Sequence, residues 1–177
     1  MWFKSSLKIV TIILLLFSGF TSHATHLLGG YMNYEFLNVN STNGDYRYKI
    51  TFHVYRDCSG QVELDDRITL GVYLNDNNKS LNQQPVFNLV AKQRVQPPGS
   101  IDCDFYRKNV CIEYGLYEGI VSLKPYSEGY HITYTRCCRN VQNNIVQDGA
   151  MPSQGQTYYC FIPSTALKNS SPAFYGV

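Results

Sequence analysis

The chain has 177 residues, of which 16% are charged and 14% are aromatic, and its formal net charge is +2. This composition excludes a coiled coil, a disordered tail and an integral membrane protein, because it has neither their charge content nor their long apolar runs. The fifteen tyrosines instead favour β-strands, in which flat rings pack well on a pleated surface.

The first predicted element is a secretory signal peptide over residues 1–24. A short basic start with Lys4 and Lys8 precedes an apolar stretch over 9–20, and small residues follow at the cleavage site. The apolar stretch is shorter than the roughly 20 residues that a membrane span requires. The signal holds two of the fifteen basic residues and none of the thirteen acidic ones, so the rest is neutral. We therefore expect an exported chain without a membrane span and without the basic face that binding nucleic acid requires.

The strongest pattern after the signal is an alternation of apolar and polar residues over 46–58. It predicts a strand with Ile50, Phe52 and Val54 on its buried face, joined through the turn at Asn43-Gly44 to an earlier strand over 31–37. Further strands are predicted over 68–74, 86–91, 110–116, 117–123, 129–136 and 157–162. We expect at most one short helical turn, because no window of eleven residues shows a helical stripe.

Many short strands separated by turn residues predict an all-β fold. We expect one antiparallel β-sandwich, immunoglobulin-like or jelly-roll-like, over residues 25–168, with a small barrel as the alternative. Residues 169–177 are expected to form a tail or the start of a linker to a further module.

Six cysteines follow the predicted signal, and an even number in an exported chain predicts disulfides. They are Cys58, Cys103, Cys111, Cys137, Cys138 and Cys160. A zinc site is the rival interpretation, but the chain has no Cys-x-x-Cys pair, so no metal and no cofactor are expected. The expected role of all six cysteines is stability.

Side-chain alternation suggests how the cysteines pair. Adjacent Cys137 and Cys138 point to opposite faces of a strand and need different partners. Cys58 and Cys138 each share the apolar face of their strand, which predicts a core bridge between them. A Cys103–Cys111 bridge across a loop is predicted more firmly, and Cys137 and Cys160 remain for each other. A bulge at Arg136 would exchange the roles of Cys137 and Cys138.

The sequence offers little catalytic chemistry, and we expect no catalytic residue. His131 lies six residues before Cys137, but an exported cysteine is far more often oxidised than catalytic. Seven of the tyrosines cannot all fit in one core, so some of them are expected at the surface. There they would either bind a glycan or protein partner or cover sheet edges and faces. These tyrosines are Tyr31, Tyr34, Tyr55, Tyr73, Tyr114, Tyr117 and Tyr126.

Several phrases in the chain resemble a known group of proteins. They are Ala24-Thr25-His26-Leu27-Leu28-Gly29-Gly30, Tyr55-Arg56-Asp57-Cys58-Ser59-Gly60, Val110-Cys111-Ile112-Glu113 with Tyr117-Glu118-Gly119, Tyr134-Thr135-Arg136-Cys137-Cys138-Arg139-Asn140 with Asn144-Ile145-Val146, and Asn169-Ser170-Ser171-Pro172. Together they are similar to the amino-terminal module of large secreted proteins of Bacteroidota. Those proteins continue into immunoglobulin-like or PKD-type repeats and end in a gliding-motility-associated sorting domain.

The resemblance implies a secreted or cell-surface, adhesin-like protein and brings no catalytic residues with it. The group's members run on for many hundreds of residues, whereas this sequence stops at Val177. It is therefore expected to be a fragment, a truncated product or a stand-alone version, and a version without a sorting domain would remain in the periplasm.

The sequence thus predicts a non-enzymatic binding or architectural module of the cell surface, with an extracellular protein or glycan as its partner and an undetermined oligomeric state. The alternative is a carbohydrate-binding module that uses exposed tyrosines, or a hydrolase with paired carboxylates. Glu113, Glu118 and Asp66 are the candidate acids. The residues that flank the cysteines, Arg56, Asp57, Arg136, Arg139 and Asn140, are expected to form a polar cluster beside the bridges.

Overall fold

The computed structural model describes residues 27–60, 62–81, 83–95, 111–136 and 155–172. The predicted signal peptide lies outside these residues, as do Cys103, Cys137 and Cys138. All structural statements concern the described part of the chain.

The described residues form eight strands in two antiparallel sheets. The strands are β1 (Leu27–Val39), β2 (Tyr46–Asp57), β3 (Arg67–Thr69), β4 (Gly71–Leu74), β5 (Val86–Val95), β6 (Ile112–Leu123), β7 (Tyr130–Arg136) and β8 (Gln156–Ile162). One sheet has the order β1-β2-β6-β5-β3, and the other has the order β4-β7-β8. One 3₁₀ turn follows at Thr165–Leu167.

The core lies between the two sheets. On β2 the side chains of Ile50, Phe52 and Val54 are buried, as their alternation predicted. The Phe52 ring lies 5.4 Å from that of Tyr134 and 5.0 Å from that of Tyr158, measured between ring centroids. Because Phe52 belongs to one sheet and both tyrosines to the other, these rings hold the layers together. The predicted antiparallel sandwich is confirmed.

Several strand boundaries differ from the prediction, and two of the differences change how the chain divides into strands. The segment predicted as one strand over 68–74 is two strands, β3 and β4, which belong to different sheets. The chain crosses between the sheets at Leu70, whose side chain is buried and whose amide donates to the carbonyl of Pro85. Conversely, the two runs predicted over 110–116 and 117–123 are the single strand β6, because this segment pairs with β2 from Ile112 to Leu123 without a break in register.

Two of the three predicted bridges are wrong. Cys58 is bonded to Cys111, with their Cα atoms 5.0 Å apart, which excludes both the Cys58–Cys138 and the Cys103–Cys111 bridges. The physical reason is the register of β2 and β6. Asp57 lies opposite Ile112 in this ladder, so the next residues along the strands, Cys58 and Cys111, meet. The bridge therefore staples two neighbouring interior strands of the larger sheet, and the prediction of a disulfide-stapled sandwich is confirmed.

The carboxyl-terminal segment of the described chain runs along the free edge of β1. The Ser171 amide donates to the Tyr34 carbonyl at 2.8 Å, and the Tyr34 amide donates to the Ser171 hydroxyl at 3.0 Å. The Phe36 amide donates to the Ser170 hydroxyl at 3.0 Å. Two serines thus occupy backbone groups that an exposed sheet edge would otherwise offer to another chain.

Among the helical segments that the described residues form, none is both long and apolar enough to cross a membrane.

Candidate functional site

The outer face of the five-stranded sheet carries a cluster of aromatic rings. Tyr31 on β1 stacks on His53 of β2, with ring centroids 4.3 Å apart and planes 9° from parallel. Tyr114 of β6 lies beyond His53, and its hydroxyl is 2.8 Å from His53 Nδ1. The ring of Tyr55 lies 5.4 Å from that of Tyr114. We call these four residues the aromatic cluster; it is half-buried and lies on the face turned away from the core.

Burial sets the protonation of this cluster. The partly buried position of His53 lowers the pKa of its imidazole, although Glu118 nearby opposes that shift. The pKa of Tyr114 is raised, mainly by burial. The neutral imidazole and the neutral phenol therefore share a hydrogen bond, and the cluster carries no charge at neutral pH.

A polar groove of about 380 Å³ lies beside the aromatic cluster. Asn33, Glu35 and Thr51 form its floor, and Ser170 and Ser171 of the edge segment form part of its wall. Asn33 pairs with Thr51 across β1 and β2, two residues from the Tyr31–His53 pair, so the groove and the rings are about 7 Å apart. The Asn33 side-chain oxygen is buried and accepts no hydrogen bond from the described residues.

The outer face of the three-stranded sheet carries a second group of rings. Tyr73 of β4 lies nearly parallel to His131 of β7, with planes 10° apart and centroids 5.2 Å apart. Tyr159 of β8 follows at 5.4 Å from His131. We call these three residues the ring strip. Burial by its neighbours lowers the pKa of His131, so the strip is also neutral.

Two of the three acids proposed for a hydrolase, Glu113 and Glu118, do not form a catalytic pair. Glu113 lies on the core side of β6 and is bonded to Arg56, 2.5 Å from its guanidinium. Glu118 lies on the outer side of the same strand and is paired with Lys49 at 2.7 Å. Because the two carboxylates occupy opposite faces of one sheet, they cannot flank one glycosidic bond. Asp66 lies in the segment that precedes β3.

Part of the predicted polar cluster forms beside the disulfide. Arg56 is 5% exposed and bridges Glu113 and the carbonyl of Val62, so its buried charge is compensated. Arg136 instead pairs with Asp65, which ties β7 to the segment before β3. Asp57 accepts hydrogen bonds from Ser59, and Arg139 and Asn140 lie outside the described residues.

Cys160 is buried and makes no disulfide within the described part of the chain; its predicted partner, Cys137, lies outside it. Burial raises the pKa of this thiol to about 12, so it stays protonated and is a poor nucleophile. The described residues contain no group of three or more His, Cys, Asp or Glu side chains that could hold a metal ion.

The seven tyrosines singled out in the sequence divide between core and surface. Tyr34 and Tyr117 are buried, whereas Tyr31, Tyr55, Tyr73 and Tyr114 lie on the outer faces, and Tyr126 is half-buried against the core. Sequence reasoning missed His53, His131, Tyr159 and Phe161 as members of those faces. Strand alternation alone places each of them on the outward face of β2, β7 or β8. The sequence did not show which strands are neighbours, so it could not show that these residues lie together.

No family model matches this chain, and neither a curated protein nor a solved structure shows significant similarity to it.

Proposed function

We propose that this chain is an exported, non-enzymatic module with a binding or architectural role at the cell surface, of the adhesin-like kind. The observation that carries the proposal is the placement of aromatic rings on the outer faces of both sheets, where the core does not use them. Tyrosine rings offer a large, rigid contact area and a polar tip, which suits them to binding surfaces.

The scaffold beneath the rings supports the same role. The Cys58–Cys111 bridge joins β2 and β6, the two strands that carry His53, Tyr55 and Tyr114. A rigid platform binds with a smaller entropic cost than a flexible loop does. A disulfide also fits a protein that works in an oxidising compartment.

The second candidate function is a carbohydrate-binding module. The observation that favours it is that the aromatic cluster and the polar groove lie side by side on the five-stranded sheet. Sugars present both apolar C–H faces, which pack on rings, and hydroxyl groups, which bond to polar side chains. The hydrolase form of this alternative loses support, since Glu113 and Glu118 are held in ion pairs on opposite faces.

The test is binding of the purified, oxidised chain to two panels, one of extracellular-matrix proteins and one of glycans. We expect saturable binding to at least one panel, and no hydrolysis of any glycan that binds. Two double variants, Tyr55→Ala/Tyr114→Ala and Tyr159→Ala/Phe161→Ala, test the two outer faces separately, with thermal unfolding as the check on folding. Absence of binding to both panels, or turnover of a glycan, would contradict the proposal.

A further inference from the structure

The outer face of the three-stranded sheet is uncharged throughout. By strand alternation eight residues point outward from β4, β7 and β8, and they form cross-strand rows in the register of the sheet. These residues are Gly71, Tyr73, His131, Thr133, Thr135, Thr157, Tyr159 and Phe161. None of them is Asp, Glu, Lys or Arg, although a solvent-facing sheet surface usually carries such residues.

Aromatic side chains on this face are exposed to an unusual degree. The exposed fractions of Tyr159 and Phe161 are 55% and 41%. Tyr73 is half-buried and His131 is only 8% exposed, so the exposed aromatic surface lies mainly on β8, with a smaller part at Tyr73 on β4. Burying this much aromatic surface against a ligand would be favourable, and leaving it bare in water is not.

Gly71 lets the first ring of the strip lie over the sheet. A Cβ atom at this position would be 2.7 Å from the Tyr73 ring, closer than packed atoms approach. The ring of Tyr73 therefore covers its own strand and continues the line of His131 and Tyr159. A ring strip of this form presents aromatic surface to the solvent side of the sheet.

Threonine hydroxyls extend the face along the strands. Thr135 and Thr157 lie opposite each other, with their Oγ1 atoms 3.3 Å apart, and Thr133 lies between them and the rings. The distance along β7 from His131 to Thr135 is about 13 Å, which is long enough for more than one sugar ring. Each hydroxyl both donates and accepts hydrogen bonds, as sugar hydroxyls do.

We infer that this outer face binds a neutral glycan chain, with the sugar rings stacked on Tyr73 and Tyr159 and the sugar hydroxyls bonded to the threonines. The inference rests on the proposed binding function and names its ligand and its site. An uncharged face gives no preference to an anionic polysaccharide, a nucleic acid or a basic peptide. Rings plus hydroxyls match a ligand with apolar faces and many hydroxyl groups.

The test is titration calorimetry of the oxidised chain with neutral hexasaccharides, namely those of cellulose, xylan, mannan and chitin, and with hexagalacturonate as the charged counterpart. We expect at least one neutral hexasaccharide to bind, and Tyr159→Ala to weaken that binding by about tenfold or more, as for a binding hot spot. Leu167→Ala, which truncates an exposed side chain of the 3₁₀ turn, is the control and should leave the affinity unchanged. Phe161→Ala is a second variant should Tyr159→Ala fail to fold.

Several outcomes would overturn the inference. They are tighter binding of hexagalacturonate, an affinity that neither Tyr159→Ala nor Phe161→Ala lowers, and a dimer that Tyr159→Ala dissociates, which would assign the face to a second copy of the chain. Binding to matrix proteins without any neutral glycan would refute the glycan inference and leave the proposed function intact. Absence of binding to every probe would refute both.

Discussion

At the scale of single residues, two tyrosine hydroxyls in the core differ in their hydrogen bonding. The Tyr48 side chain is fully buried, and its hydroxyl has no hydrogen-bond partner among the described residues. The Tyr117 hydroxyl donates to the Asp65 carbonyl at 2.7 Å. Burial raises the pKa of Tyr48 to about 12, so both phenols are neutral at any ordinary pH.

This difference predicts opposite effects of removing the two hydroxyls. Tyr48→Phe removes an unsatisfied buried group and should leave the free energy of unfolding unchanged or raise it by about 1 kcal/mol. Tyr117→Phe leaves a carbonyl unpaired and should lower it by about 1 kcal/mol. Urea denaturation of both variants measures the two effects. A larger loss in Tyr48→Phe than in Tyr117→Phe would contradict this account.

The two described histidines predict how stability depends on pH. Burial lowers the pKa of both His53 and His131 below the ordinary value of 6.5. The unfolded chain therefore binds protons more readily than the folded chain as the pH falls below that value. Their contribution to stability is complete above about pH 6.5 and decreases below it.

Urea denaturation at pH 7.5 and at pH 5.5 tests this prediction, because the carboxylates titrate mainly below that window. The free energy of unfolding should be lower at pH 5.5. The difference should shrink in the control variant His53→Gln/His131→Gln. Equal stability of the natural chain at the two pH values would argue against neutral, buried histidines.

At the scale of secondary-structure elements, adjacent glycines near the start of β1 have different surroundings. A Cβ atom on Gly30 would lie 2.5 Å from the backbone carbonyl oxygen of His53, whereas a Cβ atom on Gly29 would meet nothing within 4 Å. Gly30 thus allows β1 to approach β2 closely, at a point where the neighbouring atom belongs to the backbone and cannot rotate away as a side chain could.

Alanine substitutions at the two positions should therefore change the free energy of unfolding by different amounts. Gly30→Ala should lower the free energy of unfolding by about 1 to 3 kcal/mol, the usual cost of overpacking. Gly29→Ala is the matched control and should change it by less than about 0.5 kcal/mol. Thermal or urea unfolding measures both variants, and equal stability of the two would refute the close approach at Gly30.

The sequence predicted which residues of a strand are buried, but not which strands pair with each other. Alternation placed Ile50, Phe52 and Val54 in the core correctly, because it reports the local geometry of a strand. It could not reveal that β2 lies beside β6, since pairing between distant strands depends on the whole topology. For this reason the cysteine partners were wrong, and His131 and Tyr159 were not recognised as neighbours on one face.

At the scale of the whole molecule, the Cys58–Cys111 disulfide constrains the unfolded chain. The bonded cysteines are 53 residues apart, and closing such a loop stabilises the fold by roughly 4 kcal/mol in the chain-entropy model. Cys58→Ala/Cys111→Ala should lose a large part of that amount in urea denaturation.

Ile50→Val is the control for this loss. It removes one buried methyl group from β2 and leaves the bridge intact, so its cost is that of a small cavity, about 1 kcal/mol. If the double variant loses no more free energy of unfolding than Ile50→Val does, the bridge is not a staple of the fold.

The central claim is that the aromatic faces are carried by an oxidised sandwich, stapled between β2 and β6. Peptide mapping of the unreduced, natively exported protein by mass spectrometry tests it most directly. The account predicts a fragment in which Cys58 is linked to Cys111. Fragments that link Cys58 to Cys138 or Cys103 to Cys111, or six free thiols, would contradict it.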